Sequence, residues 1–155
     1  MSERVRNALF NILTGRVEDA VVLDAFAGTG SVGLEALSRG AAHVTFVERD
    51  RVAQNILVEN ITTLNEANST KVVKAPVASW CDTYTGNGFD LIFADPPYHQ
   101  PQFSTVEKLF GLLKPGAFMV LSHPGKGEVP TGTGVVVVDN RSYGNANLTL
   151  YRREE

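Results

Sequence analysis

The stretch VVLDAFAGTGSVGLEALSRG, residues 21–40, decides the fold. Residues 21–26 are apolar and partly β-branched apart from Asp24, which reads as a buried strand. It runs straight into the glycine turn AGTGSVG (27–33), and residues 34–40 read as a helix closed by Gly40. Gly28, Gly30 and Gly33 match G-x-G-x-x-G between a strand and a helix. That turn brings the backbone close to a ligand, and the helix start offers unpaired N–H groups.

The flanking segments extend the pattern. HVTFVE (43–48) is a second strand ending in Glu48, 20 residues after Gly28, where an acid can accept hydrogen bonds from both ribose hydroxyls. Asp50 is placed to N-cap a helix over 51–64, with Val52, Ile56 and Asn60 on one side. Strands follow at 70–75 and 89–94, with an irregular stretch between them, and Pro96 and Pro97 stop the second. A helix over about 104–113, a turn at Lys114-Pro115-Gly116 and a strand at 117–123 come next. Strands at 134–140 and 146–152, joined by RSYGN (141–145), make an antiparallel hairpin. Upstream, Val5, Leu9, Ile12 and Leu13 have helical spacing within 4–14, with Gly15 as the stop. Alternating strands and helices imply an α/β fold, a mostly parallel sheet with helices on both faces and a C-terminal hairpin.

Two acids separate the readings of the glycine turn, which nicotinamide enzymes and methyltransferases share. Asp24 lies four residues before Gly28, where a carboxylate suits the ammonium of a methionine moiety and repels a pyrophosphate. Asp95-Pro96-Pro97-Tyr98 ends the strand at 89–94, and ligands of open α/β sheets bind at the carboxyl ends of strands. An exocyclic base amine is a poor nucleophile because its lone pair is delocalised into the ring. The Asp95 side chain and the Pro96 carbonyl can each accept one N–H and favour the charge that develops on nitrogen. Prolines hold that carbonyl in a fixed aim, and Tyr98 offers a face for base stacking worth ~1–3 kcal/mol. A base within a helix must first be flipped out. A nicotinamide oxidoreductase leaves Asp95–Tyr98 unexplained. The single cysteine and the scattered histidines 43, 99 and 123 give no metal-site spacing, and His99 reads as a solvent-facing loop residue sooner than as one near the substrate.

With 155 residues the chain suits one domain, residues 1–155, and its 43% hydrophobic and 20% charged content is ordinary for a globular protein. No apolar run approaches the ~20 residues of a membrane span, and no secretory leader pattern is present. Cys81 is the lone cysteine, and a cytoplasmic location is the default expectation. The net charge of −3 argues mildly against a chain that holds nucleic acid by overall charge, while leaving room for a local basic patch.

The runs LDAFAGTGSVGLEALSRGA (23–41), FVERD (46–50), DPPY (95–98) and RSYGNANLTLYR (141–152), together with ERVRNALFNIL (3–13), resemble the RsmD-type family, which methylates a guanine N2 of 16S ribosomal RNA. LDAFAGTG followed by GLEALSRGA is specific to it, whereas DPPY marks the wider class of amine methyltransferases. The resemblance covers nearly the whole chain. It implies a Rossmann-like class I fold with a seven-stranded sheet, and S-adenosylmethionine as methyl donor. It implies a cofactor site of Asp24, Phe26, Ala27, Gly28, Gly30, Glu48, Arg49 and Val77, with Asp95, Pro96, Pro97 and Tyr98 as the catalytic loop. Arg4, Arg6, Arg141 and Tyr143 would lie near the substrate mouth.

Two departures stand out. The family's N-terminal basic β-hairpin is expected to be absent, since Met1-Ser2 stands where it would end. After the third strand, Ala75-Pro76-Val77-Ala78 replaces the acid or amide that faces the adenine, so that base would depend on backbone groups or on Trp80-Cys81, and weaker cofactor binding is expected. The resulting expectation is a monomeric methyltransferase acting on the small ribosomal subunit or its 16S RNA. The alternatives are an amine methyltransferase on DNA adenine or protein glutamine, and a binding module without turnover.

Overall fold

A computed structural model describes residues 1–100, 102–125 and 129–155. Helix α1 (Glu3–Ile12) starts at Ser2, whose hydroxyl accepts the Val5 N–H at 3.2 Å. Then come β1 (Val21–Ala25), α2 (Ser31–Ser38), β2 (His43–Val47), α3 (Arg51–Thr63), β3 (Thr70–Val73), α4 (Val77–Thr83), β4 (Phe89–Ala94), α5 (Phe103–Phe110), β5 (Leu113–His123), β6 (Val135–Tyr143) and β7 (Ala146–Arg153). Among the described residues no helix is long and apolar enough to cross a membrane.

The seven strands form one sheet in the order β3-β2-β1-β4-β5-β7-β6. β1 to β5 run parallel, and β7 inserts antiparallel between β5 and β6. Strand alternation divides the core in two. Val22, Phe46, Leu91, Phe93 and Val120 face one side, where Leu9 and Leu13 of the first helical segment, Ala36 of α2 and Leu57 of α3 cover them. Leu23, Val47, Ile92, Met119 and Leu121 face the other, under Val77 of α4 and Val106 and Leu109 of α5. The chain leaves β1 for β2 on one side and returns to β4 on the other. The carboxyl ends of β1 and β4 therefore flank the crevice where such sheets hold ligands.

Several expectations are corrected. The stretch after β3 is not wholly irregular: α4 occupies Val77–Thr83 with Pro76 as its N-cap. Its apolar contacts come from Val77, Trp80 and Cys81, spaced one turn apart. On α3 the buried residues are Gln54, Leu57 and Ile61, whereas Val52 is 68% exposed, so the side carrying Val52 and Ile56 turns to solvent. Lys114-Pro115-Gly116 lies inside β5, as an interruption. β4 advances from Phe89 to Leu91 while its partner advances from Leu113 to Phe118. Pro115 has no N–H to give a ladder, and Gly116 adopts φ +79°. Finally, the hairpin link is only Gly144-Asn145, so Arg141 and Tyr143 are strand residues.

Candidate active site

Glu48 organises the cofactor side of the crevice. Its Oε1 accepts the Gly28 N–H and its Oε2 accepts the Asp50 N–H, each at 2.7 Å, which ties the glycine turn to the end of β2. Asp50 in turn caps α3 by accepting the Ala53 N–H at 2.9 Å. Gly30 forms the N-cap of α2 at φ +91°, a region an L-residue rarely adopts. Gly33 is required for a different reason. A Cβ there would lie 2.9 Å from Asp24 Oδ2 and closer still to the Phe46 ring. That close approach lets the Gly33 N–H donate to Asp24 Oδ2 at 2.9 Å.

Asp24 is 3% exposed and makes no ion pair among the described residues. Burial pushes its carboxyl well above the usual aspartate range; the Gly33 N–H pulls it back, while the charges of Asp95 and Glu48 add to the rise. Phe26, at the end of β1, sits at φ +58°, a conformation that costs roughly 1–2 kcal/mol for an L-residue. A bulky side chain held so beside the crevice is the kind of strain that collects at ligand sites.

Asp95 joins three cavities. The first, about 320 Å³, lies over β1 between Asp24, the 26–29 turn, Ser31 and Asp95. The second, about 390 Å³, continues from Phe26 and Gly28 past Glu48 and Arg49 to Pro76 and Val77, with His99, Gln100 and Gln102 as its far wall. The third, about 470 Å³, opens outward between Ser2 and Val5 of the N-terminal helix region, the 95–98 loop, and Tyr143, Asn145 and Ala146 of the hairpin. The Asp95 carboxyl is raised by burial, against the pull of the Met1 amino group at 3.7 Å and of the Ser122 hydroxyl. Tyr98 is 37% exposed, with its hydroxyl 2.8 Å from Ser122 Oγ. Pro96 is buried, while Pro97 is exposed and lines both the second and third cavities.

The structure thus brings together Asp24, Phe26, Ala27 and Gly28 in the first cavity, and Glu48, Arg49 and Val77 in the second. Tyr143 reaches the mouth. The arginines do not join it. Arg6 faces Glu35 at 3.9 Å, Arg4 lines none of these cavities, and Arg141 pairs with Asp139 at 3.0 Å in a separate groove. Trp80 and Cys81 are also elsewhere. Trp80 packs on Tyr84 and Phe89, Cys81 packs in the same core, and neither lines the three cavities. His99 is exposed and also lines the second cavity, so both readings of it describe the structure. Ser122 was missed. Its signal is a hydroxyl in the otherwise apolar run FMVLS, and nothing local indicates that Tyr98 would meet it.

These features suit S-adenosylmethionine. A buried carboxylate without a described cationic partner stands at one end of a continuous trough, and an acid with its backbone contacts already made stands at the other. The fold is that of the Rossmann-like class I S-adenosylmethionine-dependent methyltransferases. The chain belongs to the RsmD-type family, matching the family described as conserved hypothetical protein 95 over residues 1–152. It is 37% identical over 118 residues to ribosomal RNA small subunit methyltransferase D of Escherichia coli, an alignment spanning 76% of this chain and 57% of that protein. It is 31% identical to the protein of the same name from Haemophilus influenzae, over 97% of this chain and 80% of the other. The solved Escherichia coli structure of yhhF, provisionally classed as a methyltransferase, superposes with a TM-score of 0.89 at 32% identity, covering 99% of this chain and 86% of that one.

Proposed function

We propose that this chain, acting as one methyltransferase domain in the cytoplasm, transfers a methyl group from S-adenosylmethionine to the N2 amine of a guanine in 16S ribosomal RNA. The observation that carries this reading is the position of Asp95, in the wall of both cofactor cavities and of the outward mouth. A group so placed can touch a base amine entering from outside at the boundary with the cofactor. The names of the Escherichia coli and Haemophilus influenzae relatives, ribosomal RNA small subunit methyltransferases, support the small-subunit RNA part of this reading.

When bound, S-adenosylmethionine supplies an electrophilic methyl group on a sulfonium. Asp24 would meet the ammonium of its methionine part, and Glu48 the ribose hydroxyls, by lone pairs beyond those given to Gly28 and Asp50. Phe26, Val77 and Pro76 would enclose the adenosine, with Arg49 at the rim. Asp95 and the Pro96 carbonyl accept the two N–H bonds of the guanine amine and turn its lone pair toward the methyl group. Tyr98 stacks on the base, its ring held through Ser122. As nitrogen gains its fourth bond it becomes positive, and Asp95, whose burial raises its proton affinity, takes the departing proton and passes it to solvent.

The experiment is to incubate the protein with labelled S-adenosylmethionine and unmodified small ribosomal subunits, digest the RNA, and identify the labelled nucleoside. Labelled N2-methylguanosine is the expected product. Label on adenine, on protein glutamine, or nowhere while S-adenosylhomocysteine still binds would overturn the assignment.

A further inference from the structure

On the far side of Tyr143 from the mouth, a groove of about 530 Å³ runs between α1 and the β6–β7 hairpin. Its floor is apolar, from Ile12, Phe118 and Leu150, and its charged groups are Arg16, Arg141, Arg152 and Asp139. Three cations to one anion is a local excess of positive charge on a chain whose net charge is −3.

A β-bulge builds this groove. Val136 pairs with Arg152 and Val137 with Tyr151, but the next pair is Asp139 with Leu150, leaving Val138 unpaired. One extra residue reverses the alternation of side chains along the rest of the strand. Asp139, Arg141 and Tyr143 therefore share the face of Leu150 and Arg152, the face covered by α1; without the bulge that face would carry residues 138, 140 and 142. Tyr143 lines the mouth, and Arg141 follows it one pleat further along, roughly 7 Å away. Arg152 lies six positions along β7 from Ala146, the partner of Tyr143, which is roughly 20 Å. Beside Arg152, the guanidinium of Arg16 sits 4.0 Å over the ring of Phe118, the β5 residue that pairs with Arg152. Stacking uses the face of a guanidinium and leaves its N–H edge to bind an anion. Neither Arg16 nor Arg152 has a carboxylate partner among the described residues.

We propose that this groove seats the sugar–phosphate backbone of the RNA whose target base enters the mouth beside Tyr98. The inference rests on the RNA-methylating reading above. Guanidinium forks from β6, β7 and the segment after α1, ranged away from the mouth along the hairpin, match a ligand that carries an anion at every residue and continues in both directions from the modified base. An acidic protein segment would share the charge but has no reason to be continuous with a pocket that takes a base.

The test is fluorescence anisotropy of a labelled RNA stem–loop with the full chain across a salt series, alongside calorimetry with S-adenosylhomocysteine. Replacing Arg16→Gln and Arg152→Gln together should weaken RNA binding. It should lower the slope of log affinity against log salt by about 1.8 if both contact duplex phosphates, at about 0.9 per contact. S-adenosylhomocysteine affinity should not change. Asp139→Asn removes the groove's carboxylate and frees Arg141, and it should tighten RNA binding, an outcome that misfolding cannot produce. Unchanged affinity and slope in the double variant, or weaker binding in Asp139→Asn, would overturn the proposal. So would unchanged RNA binding accompanied by a raised KM on assembled subunits, which would assign the groove to a protein partner. Because binding is read without turnover, failure of the methylation reading appears separately, as absent label in the wild-type product.

Discussion

The Tyr98 hydroxyl lies 2.8 Å from the hydroxyl of Ser122, a residue of β5 that is 1% exposed and whose hydroxyl also lowers the pKa of Asp95. A hydroxyl has one proton to give. With Tyr98 donating to Ser122, the Ser122 proton is left for the Asp95 side, where the hydroxyl holds the carboxyl pKa down. The Tyr98 ring and the Asp95 carboxyl are thereby linked through Ser122 of β5.

Ser122→Ala should therefore reduce kcat by roughly five- to ten-fold, the equivalent of about 1–1.5 kcal/mol for a lost hydrogen bond, with S-adenosylhomocysteine affinity intact. Losing a donor to the ionised form should also move the acid limb of the kcat/KM profile to higher pH. A rate loss with an unmoved limb would make Ser122 a packing residue only. Tyr98→Phe keeps the ring but not the link, and should shift the limb less than Ser122→Ala does.

Asp95→Ala should abolish transfer, by about 10²–10³ in kcat as when a transition-state hydrogen-bond partner is removed, and leave S-adenosylhomocysteine binding within a few-fold of wild type. Calorimetry and single-turnover labelling read the two separately. Loss of both would place Asp95 in cofactor binding rather than in chemistry.

Asp24 gives a pH signature in stability. Burial raises its pKa in the folded chain, so the folded state binds the proton more tightly than the unfolded state does. Stability from this group is fully present below the unfolded pKa and is lost as pH rises toward the folded one. Asp24→Asn keeps an oxygen for the Gly33 N–H and cannot ionise. It should raise the Tm of the unliganded protein at neutral pH and flatten the decline of Tm between acid and neutral pH, while weakening S-adenosylmethionine binding. A lower Tm at neutral pH in the variant would show that the charge is compensated in a way the buried site does not reveal.

Glu48→Ala should cost both stability and affinity, because it leaves the Gly28 and Asp50 N–H groups without their acceptor. At about 1 kcal/mol or more for each group, and roughly 2–4 °C per kcal/mol in a chain of this size, thermal melting should fall by several degrees. An unchanged Tm with reduced cofactor affinity would confine Glu48 to the ribose.

The glycine turn, Glu48 and the Asp95–Tyr98 loop were legible because each is a local pattern anchored to a strand end, and the sheet supplies the convergence. Phe26 at positive φ was not legible, since that conformation ordinarily announces itself by Gly or Asn. Helix α4 was hidden by its length of seven residues, too short for periodicity to stand out. The exposed face of α3 misled because Val52 and Ile56 have core-like spacing, yet burial was decided by which side met β2 and the glycine turn, bringing Leu57 beneath Gly30. Arg141 was misplaced because RSYGN reads as a link, whereas β6 continues to Tyr143 and leaves Arg141 one pleat further from the mouth on the same face.

The β6 bulge at Val138 does not itself set the phase of the hairpin. Removing Val138 would erase the bulge and its local twist, yet every pair from Asp139–Leu150 to Tyr143–Ala146 would be kept, so Tyr143 would stay at the mouth. The phase of residues 139–143 is thus set from the Gly144-Asn145 link, and the bulge absorbs the one residue by which β6 exceeds β7, keeping Asp139, Arg141 and Tyr143 on one face.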